Sequence, residues 1–256
     1  MDTGLLRIEQ ALRAAKAEGR AALLVCLPSV RDAEWAVAAA QASVAGGADL
    51  LEFQTHYPQH PEPVVEAIGV VAREVGVPCL LWADDHIVHD FAIATAEPWR
   101  LVPACLSAGI AGIASPTREG YARRFAEACG ADLAAINFVA PVMGPRHFED
   151  VCCYGSGFTY AIGVRTSPPT DPAVFEDLGG FLERVRRKSA LPVFVGAGVT
   201  TPEQATLAAT FADGVAVAKA VFDILEDARR HGRDQIAALE SLVHRLRLAV
   251  ERGEST

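Results

Sequence analysis

Eight short apolar runs alternate with longer amphipathic stretches along 256 residues, and no Pro/Ser-rich linker interrupts them. That rhythm predicts an α/β protein, a single (β/α)8 TIM barrel over residues 1–256 with an extra N-terminal helix. Two further observations support it. The length is typical of such a barrel, about 250 residues. The turn after the first run is Leu27-Pro28-Ser29-Val30, whereas an open doubly wound sheet would want a Gly-rich turn there.

The elements follow in order. A charged helical pattern over 5–18 precedes the first strand, 22–27. The helical stretch 32–44 leads to a strand at 49–53, 63–75 to one at 78–83, and 99–108 to one at 109–114. Then 118–129 precedes the strand 133–140, 148–153 precedes 158–163, 172–188 precedes 192–198, and 202–210 precedes 213–217. A last helix covers 235–252. The strand runs are short and apolar, while the stretches between them carry apolar residues at helical spacing.

Composition narrows the function classes. The chain is 51% hydrophobic and 21% charged, ample for one large core. A net charge of -9 argues against nucleic acid as a partner, because phosphate backbones demand a basic surface. No apolar stretch is long and uncharged enough to cross a membrane, and the N-terminus does not read as a signal peptide. Six scattered cysteines without a CxxC read as reduced, mostly buried thiols, so a cytoplasmic protein is expected.

Glu52 is the residue that points to chemistry. It lies deep in Ala48-Asp49-Leu50-Leu51-Glu52-Phe53, whereas Asp49 at the start of the run can lie at the barrel rim. An unpaired carboxylate is costly at such depth. A strand exit followed by a polar, proline-punctuated loop is where a barrel places a general acid/base, and Leu51 and Phe53 are expected to help raise its pKa. An ion-paired or half-solvated glutamate at a strand end is the other reading.

Further candidates stand in the loops after the strands, where barrel chemistry is built. After strand 2 come His56, Tyr57, His60 and Glu62; at strand 3 come Trp82, Asp84, Asp85, His86 and His89. Mixed His and carboxylate side chains suit a metal, but their spacing matches no known ligand signature, so none is assigned. Trp82 and Tyr57 either wall an aromatic pocket or pack under loops. Gly196, Gly198 and Lys219 fall where barrels commonly hold phosphate on backbone amides and a helix N-terminus. Lys219 is either a point charge for an anion or a solvated surface lysine. A small, anionic substrate is therefore expected; homo-oligomerisation is left open.

Four stretches carry a family resemblance: Ala45-Gly46-Gly47-Ala48-Asp49-Leu50-Leu51-Glu52, Tyr154-Gly155-Ser156-Gly157-Phe158-Thr159-Tyr160, Val195-Gly196-Ala197-Gly198-Val199-Thr200-Thr201-Pro202-Glu203-Gln204-Ala205 and Ala212-Asp213-Gly214-Val215-Ala216-Val217. In order and spacing they resemble the tryptophan synthase alpha subunit family over nearly the whole chain. The resemblance implies a retro-aldol carbon–carbon lyase that cleaves indole-3-glycerol phosphate without metal or organic cofactor. It implies that Glu52 handles the proton at the ring carbon, that Tyr160 stands near that site, and that Gly196 and Gly198 belong to the phosphate turn.

The chain also departs from the family pattern. The second catalytic carboxylate, an aspartate in the loop after strand 2, is absent, and His60 or Glu62 is the nearest replacement. The Gly-Ser phosphate contact after strand 8 reads Ala218-Lys219, and the segment after strand 6 reads Thr166-Ser167-Pro168-Pro169. These changes favour a related substrate of a specialised pathway over indole-3-glycerol phosphate itself. They also argue against docking a tryptophan synthase beta-type partner. A non-catalytic ligand-binding or partner-regulating barrel is the alternative.

Overall fold

The computed structural model describes residues 2–28, 32–56, 62–84, 98–162, 173–196 and 198–251. Among them, eight parallel strands close a barrel in sequence order: β1 (Ala22–Leu27), β2 (Leu50–His56), β3 (Cys79–Asp84), β4 (Gly112–Ser115), β5 (Ala134–Val139), β6 (Thr159–Ile162), β7 (Val193–Gly196) and β8 (Gly214–Val217). The seam is the β1–β8 ladder, which aligns Ala22 with Gly214 and Val25 with Val217. Ten helices accompany the described strands: α1 (Gly4–Ala17), α2 (Ala33–Ala45), α3 (Glu62–Glu74), α4 (Val102–Ala108), α5 (Ala122–Cys129), α6 (Pro145–Cys153), α7 (Ala173–Arg186), α8 (Pro202–Phe211), α9 (Lys219–Arg230) and α10 (Gln235–Ala249). None of these helices is long and apolar enough to cross a membrane.

Side-chain alternation along each strand sorts the core into two shells. Odd positions of β1 (Leu23, Val25, Leu27) meet the helices, as do Leu51 and Phe53 of β2. The alternate positions fill the barrel: Leu24 and Cys26, Leu50, Leu80, Ile136 and Phe138, Phe158 and Tyr160, and Phe194. Glu52 shares the inward parity of Leu50, and register sets it beside Cys26 of β1 and Leu80 of β3.

The extra N-terminal helix closes the bottom of the barrel. Thr3 caps α1 by accepting from the Leu6 amide. Ile8 and Ala15 join the interior cluster, and the Gly4 amide donates to the Asp132 carbonyl at 2.8 Å, just before β5. At the same face Arg20 grips Asp49 with two bonds, 2.5 and 2.7 Å, while Asp49 also accepts from the Leu23 amide at 2.7 Å. The carboxylate at the start of β2 is thus a rim residue that ties β2 to β1 and to the end of α1.

One element departs from the sequence expectation in kind. No helix is expected between 217 and 235, yet α9 follows β8 directly. Its pattern was present: Ala220, Val221, Leu225 and Ala228 form the buried stripe, and Glu226 bonds both Arg229 and Arg230 on the solvent side. The start of the expected 99–108 helix is a 3-10 turn, Pro98–Leu101, before α4. Pro103 sits in the first turn of α4, where its missing amide costs no bond.

Candidate active site

The site grows from the inward row of β2. Because Leu51 and Phe53 turn outward, Glu52 turns in and is fully buried. This corrects the expected source of its pKa shift: the apolar groups around the carboxyl are interior side chains, not its sequence neighbours. Oε1 accepts from the Cys26 thiol at 3.1 Å. Oε2 is buried and has no hydrogen-bond partner among the described residues. Loss of water disfavours the ionised form and pushes the carboxyl up to about 8, while the thiol bond pulls the other way. At neutral pH Glu52 is therefore a protonated acid.

Tyr160 of β6 faces the same interior, with its hydroxyl 3.9 Å from Cys26 Sγ. Burial pushes its phenol well above the ordinary value, so it stays an O–H donor. Its ring meets Phe138 at 4.7 Å and Phe158 at 6.1 Å between centroids. Trp82, half-buried, completes the aromatic group at 4.7 Å from Phe138 and 6.0 Å from Tyr160. Trp82 thus belongs to the inner wall of the barrel.

The structure gives the glycines at the end of β7 and just beyond it distinct jobs. A Cβ on Gly196 would lie 2.3 Å from Tyr160 Cε1 and 2.7 Å from its hydroxyl. Only glycine leaves room for the tyrosine ring at that point. Gly198 has φ of 128°, a backbone region that L side chains rarely adopt, and it turns the chain into α8. Thr201 and Gln204 form a capping box there. Gln204 Oε1 accepts from the Thr200 amide at 2.6 Å and the Thr201 amide at 3.2 Å, so those two donors are already committed.

Lys219 opens α9 directly beyond β8. Its ammonium is exposed and bonds Asp223 one turn along at 2.5 Å. Among the described residues no side chain caps the α9 N-terminus, which lies at the C-terminal end of the barrel. Glu62 is the first residue of α3. Tyr57, His60, Pro61, Asp85, His86, His89 and 166–169 lie outside the described residues.

Ser115 of β4 and Asn137 of β5 share the outward parity of Ile113 and Val139. Asn137 accepts from Thr117 at 3.0 Å and donates to the Tyr154 carbonyl, pinning the loops after β4 and α6. Asn137 is thus a structural tie behind the wall, whereas the Ser115 hydroxyl is buried with no hydrogen-bond partner among the described residues. Cys26 is the residue that the sequence reading passed over. It was counted among buried thiols, and only the β1–β2 register brings it to the carboxyl.

The fold and this interior define a class: a (β/α)8 barrel carrying a buried, protonatable carboxyl within an aromatic wall. The family model for the tryptophan synthase alpha chain matches residues 93–251. The tryptophan synthase alpha chain of Streptomyces avermitilis is 32% identical over 258 residues, covering 92% of this chain and 90% of that one. That of Acidothermus cellulolyticus is 32% identical over 266 residues, covering 97% and 98%. The crystal structure of tryptophan synthase subunit alpha from Legionella pneumophila matches the fold with a TM-score of 0.79 at 20% identity, covering 95% of this chain and 98% of that one. The chain belongs to the tryptophan synthase alpha chain family.

Proposed function

We propose that the protein is a carbon–carbon lyase of retro-aldol type, with Glu52 as its general acid/base. The substrate in this reading is an aromatic ring bearing a phosphorylated polyol, either indole-3-glycerol phosphate or a relative of it. The observation that carries the reading is Glu52 itself: a fully buried carboxyl whose Oε1 takes the Cys26 thiol and whose Oε2 has no hydrogen-bond partner among the described residues. A barrel that only binds a ligand gains nothing from so costly a group at that depth.

In this reading Glu52 donates its proton to the ring carbon that bears the side chain. The ring becomes cationic, and the adjoining carbon–carbon bond breaks with its electrons returning to the ring. The hydroxyl on the departing carbon becomes an aldehyde, and its proton returns to the Glu52 carboxylate. Substrate and products balance, and the acid is regenerated without an outside base. Trp82 and Tyr160 wall the ring, and the Gly198 amide and the amides at the start of α9 receive the anionic end. Lys219 adds charge there once Asp223 releases it.

The absent aspartate after β2 supports a relative of indole-3-glycerol phosphate over that compound itself. A neutral His60 accepts a hydrogen bond but does not match a carboxylate's charge, and Glu62 is the charged substitute. The test measures indole release from indole-3-glycerol phosphate, with and without an added beta chain. Weak or no release, together with cleavage of an analogue altered on the ring, is the expected outcome. Turnover of about 1 s⁻¹ or faster on the parent compound sinks the relative-substrate part. A Glu52→Gln variant that keeps full turnover on whichever substrate is cleaved sinks the lyase assignment of Glu52.

A further inference from the structure

We infer that Cys26 is a positioning residue for Glu52: its thiol holds Oε1 and so presents Oε2 as the oxygen that exchanges the proton. The inference rests on the reading of Glu52 as the acid/base. The geometry is an ordered chain across the barrel. Cys26 Sγ donates to Glu52 Oε1 at 3.1 Å, and Tyr160 Oη stands 3.9 Å from the same sulfur. All three side chains are buried, and Oε2 at the end of the chain has no partner among the described residues.

The chemistry of a thiol makes this arrangement directional. A thiol has one proton, and once that proton goes to Oε1 the sulfur offers only lone pairs to the Tyr160 hydroxyl. A carboxyl bonded to nothing turns over freely, so either oxygen carries the proton to the substrate. One fixed bond makes the two oxygens inequivalent. Backbone geometry sets the contact, because Cys26 and Glu52 are register partners on adjacent strands. Burial and the neighbouring carboxylate push the Cys26 thiol well above its ordinary value, so it stays a donor.

Among the described residues, the titratable groups facing Glu52 are Cys26 from β1 and Tyr160 from β6. The interior positions of the other strands include Leu80 and Trp82 of β3, Ala114 of β4, Ile136 and Phe138 of β5, Phe194 of β7 and Ala216 of β8, which do not titrate. The thiol bond favours the ionised carboxyl and partly offsets the effect of burial. Removing the thiol should therefore raise the pH at which Glu52 titrates.

Infrared difference spectroscopy tests this on the intact protein. The carboxyl band of Glu52 is isolated by subtracting the Glu52→Gln spectrum across a pH series. Cys26→Ala should raise the titration midpoint by about one pH unit, a hydrogen bond's effect on a charged group, and Cys26→Ser should restore most of it. In otherwise native protein, the S–H stretching band that Cys26→Ala removes should move when Glu52 becomes glutamine. In turnover, Cys26→Ala should lower kcat and leave KM near its starting value, with Cys26→Ser again recovering. An unchanged midpoint in Cys26→Ala, or a Cys26 S–H band indifferent to Glu52→Gln, overturns the inference. If Cys26→Ala does not melt cooperatively, the S–H band and Cys26→Ser decide. The two readings fail separately. Full turnover in Glu52→Gln removes the acid/base reading, whereas loss of turnover there with an unchanged rate and midpoint in Cys26→Ala removes the positioning inference alone.

Discussion

A carboxyl that holds its proton to about pH 8 when folded and releases it near 4.5 when unfolded links stability to pH. Its contribution is fully present below about 4.5 and is lost as pH rises through about 8. Over that window Glu52 disfavours the folded state by on the order of 5 kcal/mol. Glu52→Gln removes the titration, so its stability advantage over the native chain should grow from pH 4.5 to 8 and then level off. Urea unfolding across that range checks it; a gap that does not change with pH refutes it. The same proton sets the rate. An acid of this pKa predicts turnover that falls about tenfold per pH unit above about 8. Gly196→Ala should act through Tyr160, since the new methyl meets its ring at 2.3 Å. Overpacking of this kind costs about 1–3 kcal/mol and displaces the hydroxyl from Cys26; denaturant melts and turnover should both fall. Glu52 was legible in the sequence because a charge inside an apolar run is rare. Cys26 was not, because only strand register tells which of six thiols faces the carboxyl. Gly196 was read as a phosphate-turn glycine, and its seat for Tyr160 depends on a contact 36 residues back in the chain.

At the scale of elements, the eight strands were readable because each is a short apolar run of its own. Helix α9 was not, because Ala218 and Lys219 carry β8 into it without a turn residue or a side-chain cap to mark the start. The Asp49 carboxylate shows the converse. Its place at the start of the apolar run was visible, but its partner Arg20 lies 29 residues away, before β1. The pair is largely buried, with 5% and 12% of the two side chains exposed. Asp49→Ala leaves Arg20 with the more exposed Glu18 carboxylate as its remaining ion-pair partner and leaves the Leu23 amide unmatched, and should cost about 3 kcal/mol. Ile8→Ala on α1 opens a cavity under the barrel floor and should cost about 2–5 kcal/mol. Thermal melts check both, and for Ile8→Ala substrate KM should hold, because the floor lies at the end opposite the catalytic loops.

For the whole molecule, the last helix and the first strand depend on each other. The Ala21 amide donates to the Val250 carbonyl at 3.1 Å, and Arg247 bonds Glu18 across 229 residues at 2.9 Å. α10 packs against α2, α8 and α9 through Leu239, Leu242, Val243 and Leu246. A chain cut after residue 234 removes that stripe and uncovers the faces of α2, α8 and α9 that it packs against. It should yield aggregated protein without a cooperative melt; a soluble, cooperatively unfolding truncation refutes the claim.

The β1–β8 seam has a consequence for a chain growing on the ribosome. Residues 22–25 leave the tunnel early, but their partners 214–217 are made about 190 residues later. At about 5–20 residues per second, translation separates the two by roughly 10–40 s. Throughout that interval β1 has one unpaired edge, and its six residues are all apolar. Such an edge invites pairing with another nascent strand. Slower translation of the last third of the message should therefore lower the yield of native protein even though the finished sequence is unchanged.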